Sequence, residues 1–179
     1  MNEFLRLDTL IHLALWLAIA LIAMLIPLLP LYRPDDAWPQ PEWFLALTFA
    51  WLLRRPAHLP YAAIGLVFLI QDLFLMRPPG LWAMLVMIGA EFLRRRQSMV
   101  REMNTLMEWG LVTGVLVAIW LANRLALVIV MTPRPPLDLS LVQLVGTVLT
   151  YPVVVVFVQS VLRIRKPATG ELDELGRKL

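Results

Sequence analysis

Apolar residues fall along this chain in six runs, at 9–31, 43–53, 59–76, 81–93, 106–131 and 141–162. Only Thr9 and His12 are polar within the first run, whose 23 residues exceed the ~20 that a helix needs to cross hydrocarbon. The second run is 11 residues. As a helix it reaches about 16 Å, so it must thin a bilayer, shelter among neighbours, or re-enter. It is bracketed by Pro34, Pro39 and Pro41 on one side and by Arg54-Arg55-Pro56 on the other. The third run carries Gln71 and Asp72 near its end and leads into the turn Arg77-Pro78-Pro79-Gly80. The fourth stops at Arg94-Arg95-Arg96, and a charged connector at 97–105 follows. The fifth is interrupted by Glu108, Asn123 and Arg124, and the sixth by Gln143, Thr147, Thr150 and Gln159. Each run is expected to be a helix, with a short polar lead at 1–8 and a charged tail from Arg163.

Composition decides what solvates these helices. The chain is 60% hydrophobic and 16% charged, with a mean hydropathy of +0.74. A soluble domain is about a quarter charged, and a core of this size cannot hide the surplus, so lipid is the expected solvent. The first run is too long for a signal-peptide core of about 7–15 residues and no A-x-A site follows it, so it is expected to remain as an anchor. If all six runs cross with the N-terminus inside, twelve Lys and Arg residues lie inside and three (Arg33, Arg77, Arg134) outside. That bias predicts an all-α integral membrane protein, a single six-transmembrane-helix bundle with both termini cytoplasmic.

Charge within the spans narrows the candidate sites. By helical rise, Asp72 lies about 6 Å and Arg124 about 10 Å below the outer end. These depths suggest an Asp72–Arg124 ion pair between the third and fifth spans, supported by Gln71 or Asn123. The alternative is that Arg124 snorkels to the headgroups while Asp72 reaches water. Glu91 and Glu108 read as interfacial partners of Arg94–Arg96, and His12 as a surface imidazole. In the fifth span Gly110, Gly114, Ala118, Ala122 and Ala126 recur every fourth residue. This small-residue ridge admits a closely packed helix, from within the bundle or from another protein.

Catalytic patterns are absent from the sequence. There is no H-E-x-x-H, Walker loop or G-x-S-x-G, and no Cys, and only His12 and His58 among histidines. No catalytic, cofactor or metal residues are therefore assigned. The basic residues suit anionic membrane lipids rather than nucleic acid.

Residues 41–56, PEWFLALTFAWLLRRP, and 65–84, GLVFLIQDLFLMRPPGLWAM, resemble the rod shape-determining protein MreD family. The matching elements are Pro41 and Trp43 opening the short second span, and Trp51, Arg54, Arg55 and Pro56 closing it. Gly65, Asp72-Leu73 and Pro79-Gly80-Leu81 follow, then Tyr151-Pro152 with a basic exit at Arg163. Met76-Arg77-Pro78 departs from the small-residue turn that members more often carry. The resemblance implies a fold similar to the substrate-binding subunits of energy-coupling-factor transporters. It also implies a non-enzymatic place in the bacterial inner membrane, in the elongation machinery with MreC, MreB, RodA and a class B penicillin-binding protein. The expected function is a scaffold that binds MreC and positions the wall synthases; a homodimer is compatible with it. The alternative is a small-molecule-binding subunit of a membrane transporter, favoured by a polar, aromatic pocket around Trp38, Trp82 and Gln143. A membrane enzyme would require an activity dependent on His12, His58 or Asp72.

Overall fold

The structure, a computed structural model, describes residues 2–26 and 39–160. Among these the fold is all-helical: α1 (Asn2–Leu25), α2 (Trp43–Arg54), α3 (Tyr61–Phe74), α4 (Leu81–Arg95), α5 (Gln97–Glu102), α6 (Thr105–Ile129) and α7 (Leu137–Ser160), with a 3₁₀ turn at Pro56–His58. Two of them, α6 and α7, are long and apolar enough to cross a membrane. Within the described residues the helices follow the apolar runs closely. α1 starts earlier than the polar lead implied, α7 starts at Leu137, and the charged connector folds as the short α5. Positions 27–31 and 161–162 of the expected first and last spans, and Trp38, lie outside the described residues.

Local chemistry sets the ends. Asn104 caps α6 by accepting a hydrogen bond from the Met107 N–H at 2.8 Å. Both α3 and α6 close with a left-handed residue that is not glycine, Met76 (φ 51°) and Met131 (φ 54°). In each case two backbone bonds, Met76 N–H to Leu73 and Arg77 N–H to Asp72, or Met131 N–H to Val128 and Thr132 N–H to Leu127, cover the last carbonyls. Met76 and Met131 thus occupy positions where glycine would carry the least strain.

The core is organised around the shortest of the six longer helices. Every residue of α2 from Phe44 to Arg54 is buried. α7 and α4 flank it, and α1 packs antiparallel along it, with Trp16 donating to Thr48 Oγ1 at 3.3 Å. A helix that is apolar all round belongs inside a protein. Of the three options its length left open, α2 takes shelter among neighbours, and its length need not match a bilayer. α3 and α4 form a hairpin with Gly65 facing Met87, and α6 lies on α4 and α7.

Pro152 lies inside α7 and lacks the N–H that would bond Val148. The indole of Trp109 on α6 fills that vacancy, donating to the Val148 carbonyl at 2.9 Å. Trp109→Phe is therefore expected to lower stability by about 1–3 kcal/mol by orphaning the carbonyl. In a Pro152→Ala background the helix bonds Val148 itself, so the same change should cost clearly less in thermal unfolding followed by circular dichroism.

Candidate functional site: two polar centres and a groove

The antiparallel arrangement gathers the polar side chains at two ends. At the Arg94 end, Arg54 is fully buried and donates through Nη1 to the Ala50 carbonyl (2.8 Å) and to Glu108 Oε1 (2.9 Å). Tyr151, also buried, donates its hydroxyl to the same Glu108 oxygen at 2.7 Å. One carboxylate thus ties α2, α6 and α7 together. Glu108 is consequently not a partner of Arg94–Arg96, as the sequence suggested; its place at the start of α6 faces the inner bundle. Glu91 does meet that run, bonding Arg95 at 2.5 Å, and it also accepts from the Tyr61 hydroxyl. Arg94 instead stacks on the Tyr61 ring, 3.9 Å from its centroid. His12, read from the sequence as a surface imidazole, is half-buried: it stacks on His58 at 4.4 Å and meets the Trp51 ring edge-on. Neighbouring Arg55 is exposed, and Pro56 begins the turn that leads to His58.

At the Arg77 end the expected Asp72–Arg124 pair does not form. Asp72 is fully buried, and its Oδ2 accepts from the Gly80 N–H (3.0 Å) and the Ala83 N–H (3.2 Å) at the start of α4. These are the N-cap and third-residue donors that a capping box would satisfy. Gly80 holds φ +86° and has no side chain to do so, and α3 supplies the acceptor instead. Arg124 points to the α6–α7 connection, donating to Ser140 Oγ at 2.6 Å and Pro135 O at 3.4 Å. Matching depth left out direction around the helix axis, and the two side chains diverge. Glu42, just before α2, pairs with Arg77 at 2.6 Å and receives Gln143 Nε2 at 3.3 Å, while its N–H donates to Thr147. Pro41 packs close to Gly146, and Trp43 lies edge-on to Phe44. Between these groups lies a pocket of about 310 Å³ that includes Trp82, Trp120 and Gln143 in its walls. Trp82 and Gln143 thus share a pocket as the alternative reading required, and Trp38 lies outside the described residues.

The small-residue ridge is present but faces away from the bundle. Gly110, Gly114, Ala118 and Ala122 form one wall of an open apolar groove of about 500 Å³, with Ile88 and Phe92 on α4 opposite. A methyl group added at Gly110 or Gly114 would meet nothing within 4 Å, so no helix among the described residues packs there. Ala126 is half-buried one turn beyond the groove. The tightest glycine among the described residues is Gly89 on α4, where a methyl would come within 2.8 Å of Ile119 Cδ1 and 3.2 Å of Phe49. It stands alone in an apolar run, and no repeat announces it.

No family model matches this chain, and no curated protein or solved structure matches it significantly.

Proposed function

We propose that the protein is a non-catalytic scaffold of the bacterial inner membrane, with six crossings and both termini cytoplasmic, acting in the elongation machinery of rod-shaped cells. In this reading it binds MreC and helps position RodA and a class B penicillin-binding protein, with MreB in the same assembly. Support for the crossings comes from the alternating directions of the longer helices, the bias of positive charge, and the apolar exterior. Leu66, Leu125 and Val153 are each about 60% exposed or more (59%, 63% and 67%), which suits lipid and not water. Motif residues of the MreD resemblance fall on structural devices: Arg54 and Tyr151 on the buried network, Asp72 and Gly80 on the cap, Pro152 on the Trp109 bond.

The observation that carries the scaffold reading is the groove between α4 and α6. Its floor of Gly110, Gly114, Ala118 and Ala122 suits the close approach of a partner's transmembrane helix. Gly114→Ile is expected to leave thermal unfolding unchanged while cutting co-purification of MreC at least tenfold. Gly89→Val should do the reverse to the fold, lowering its stability by about 1–3 kcal/mol through overpacking. Unimpaired MreC binding by a folded Gly114→Ile variant would overturn the assignment of this groove. One observation favours the second reading, a small-molecule-binding transporter subunit: the pocket at the Arg77 end, where Trp82 and Gln143 meet.

A further inference from the structure

The pocket at the Arg77 end has an imbalance that neither a scaffold nor a packed bundle needs. Its lining includes three guanidinium-bearing residues, Arg77, Arg124 and Arg134, against one carboxylate, Glu42. That carboxylate is already engaged by Arg77 and Gln143. The Ser140 hydroxyl is engaged too, accepting from Arg124 and donating to the Leu137 carbonyl. Three polar atoms of the lining residues are buried without a hydrogen-bond partner among the described residues: Arg77 Nη1, Trp82 Nε1 and Trp120 Nε1. All three are donors.

An unbonded buried donor costs about 1–3 kcal/mol, so three around one cavity mark a place where acceptors belong. Each indole is also held by a cation. The Arg77 guanidinium lies 5.0 Å from the Trp82 ring and that of Arg124 lies 5.5 Å from the Trp120 ring. Trp82 itself is 9% exposed. A volume of about 310 Å³ falls at the small end of ligand pockets, which run from ~300 to 1,000 Å³.

We propose that this pocket binds a compact oxyanion, a phosphate or carboxylate group, gripped by Arg77 and Arg124 and hydrogen-bonded by the two indoles. The inference goes beyond the scaffold reading and holds whether or not MreC occupies the α4–α6 groove. A phosphate group reaches such a site either on a soluble molecule or as the headgroup of a membrane lipid. The chemistry of recognition is the same in both cases.

The full chain, purified in detergent, is titrated with inorganic phosphate and with glycerol phosphate at constant ionic strength, sodium chloride serving as control. Tryptophan fluorescence and the thermal midpoint are followed. Saturable binding with a raised midpoint is expected, and chloride should give neither. Arg124→Gln should weaken binding at least tenfold. Trp120→Phe removes an unbonded N–H without touching charge, and should weaken it severalfold in a fully folded protein. Arg95→Gln, exposed at the opposite end, should bind as the parent does. In nanodiscs, a headgroup source predicts that anionic phospholipid suppresses the phosphate response and is retained in native mass spectra, but lost from Arg77→Gln. A soluble source predicts the same titration in zwitterionic and anionic discs. A protein that shows no saturable response to either phosphate and retains no lipid would overturn the site, as would Arg124→Gln and Trp120→Phe variants that bind normally.

Discussion

Replacing Arg54 with Met is expected to lower stability by about 3–5 kcal/mol, enough to cripple a fold of ordinary margin. The substitution keeps most of the apolar volume but takes from Glu108 a guanidinium held at 2.9 Å, where both side chains are at most 1% exposed. Taking a paired guanidinium from a buried carboxylate costs more than the pair itself stabilised. Arg54→Met, Glu108→Met and Tyr151→Phe together should regain part of the loss, because this ion pair and the hydroxyl bonded to it are removed together. Arg54→Lys should fall between the extremes: an ammonium retains the charge but does not reproduce the planar guanidinium that reaches both Ala50 O and Glu108. The measurement is a double-mutant cycle in denaturant or heat. A triple variant as unstable as Arg54→Met would refute the account, and so would a near-neutral Arg54→Met.

Asp72→Ala carries the second large effect, a loss of about 2–4 kcal/mol. It leaves two backbone N–H groups at the start of α4 without their acceptor, and each buried orphan costs about 1–3 kcal/mol. The favourable meeting of a carboxylate with a helix N-terminus is lost as well. Asp72→Asn keeps an acceptor oxygen in place and should cost no more than about 1 kcal/mol. That ordering separates a cap from an ion pair. Were Arg124 the partner of Asp72, Asn would be nearly as harmful as Ala, and Arg124→Gln would match both. Comparable unfolding midpoints for the Ala and Asn variants would argue against the cap.

Helix placement was legible because prolines and arginines punctuate the apolar runs. The 43–53 reading differs from the observed Trp43–Arg54 by one residue, held between Pro41 and Pro56. The burial of α2 could be stated only as one of several options, since length alone does not say what covers a helix. Of the adjacent Arg54 and Arg55, one is buried and one exposed. Arg54 is the last residue of α2, whereas Arg55 follows with a non-helical backbone (φ −142°, ψ 78°), and a charge count treats them alike. The solitary acid Glu108 early in α6 was the available signal, yet the nearer run at Arg94–Arg96 drew it in sequence terms. Asp72 was recognised as an acid needing a partner. Its partners proved to be backbone groups, which pairing charges by depth cannot find. The clue was Gly80, a helix start with no side chain to cap itself. The four-residue recurrence along α6 is plain in the sequence, but periodicity does not state which way a face looks.

The enclosure of α2 has a consequence for how the chain comes into being. Its walls include α7, tied to it by a bond between residues 105 positions apart in sequence, Glu42 to Thr147. During synthesis α2 emerges early and its last wall emerges late, so for most of translation a 12-residue helix lacks its housing. Pairing that waits on such distant segments is slow and leaves exposed surface in the meantime. A chain that stops before α7 leaves α2 without that wall. Among the described residues, the C-terminal helix completes the housing of a helix near the N-terminal side.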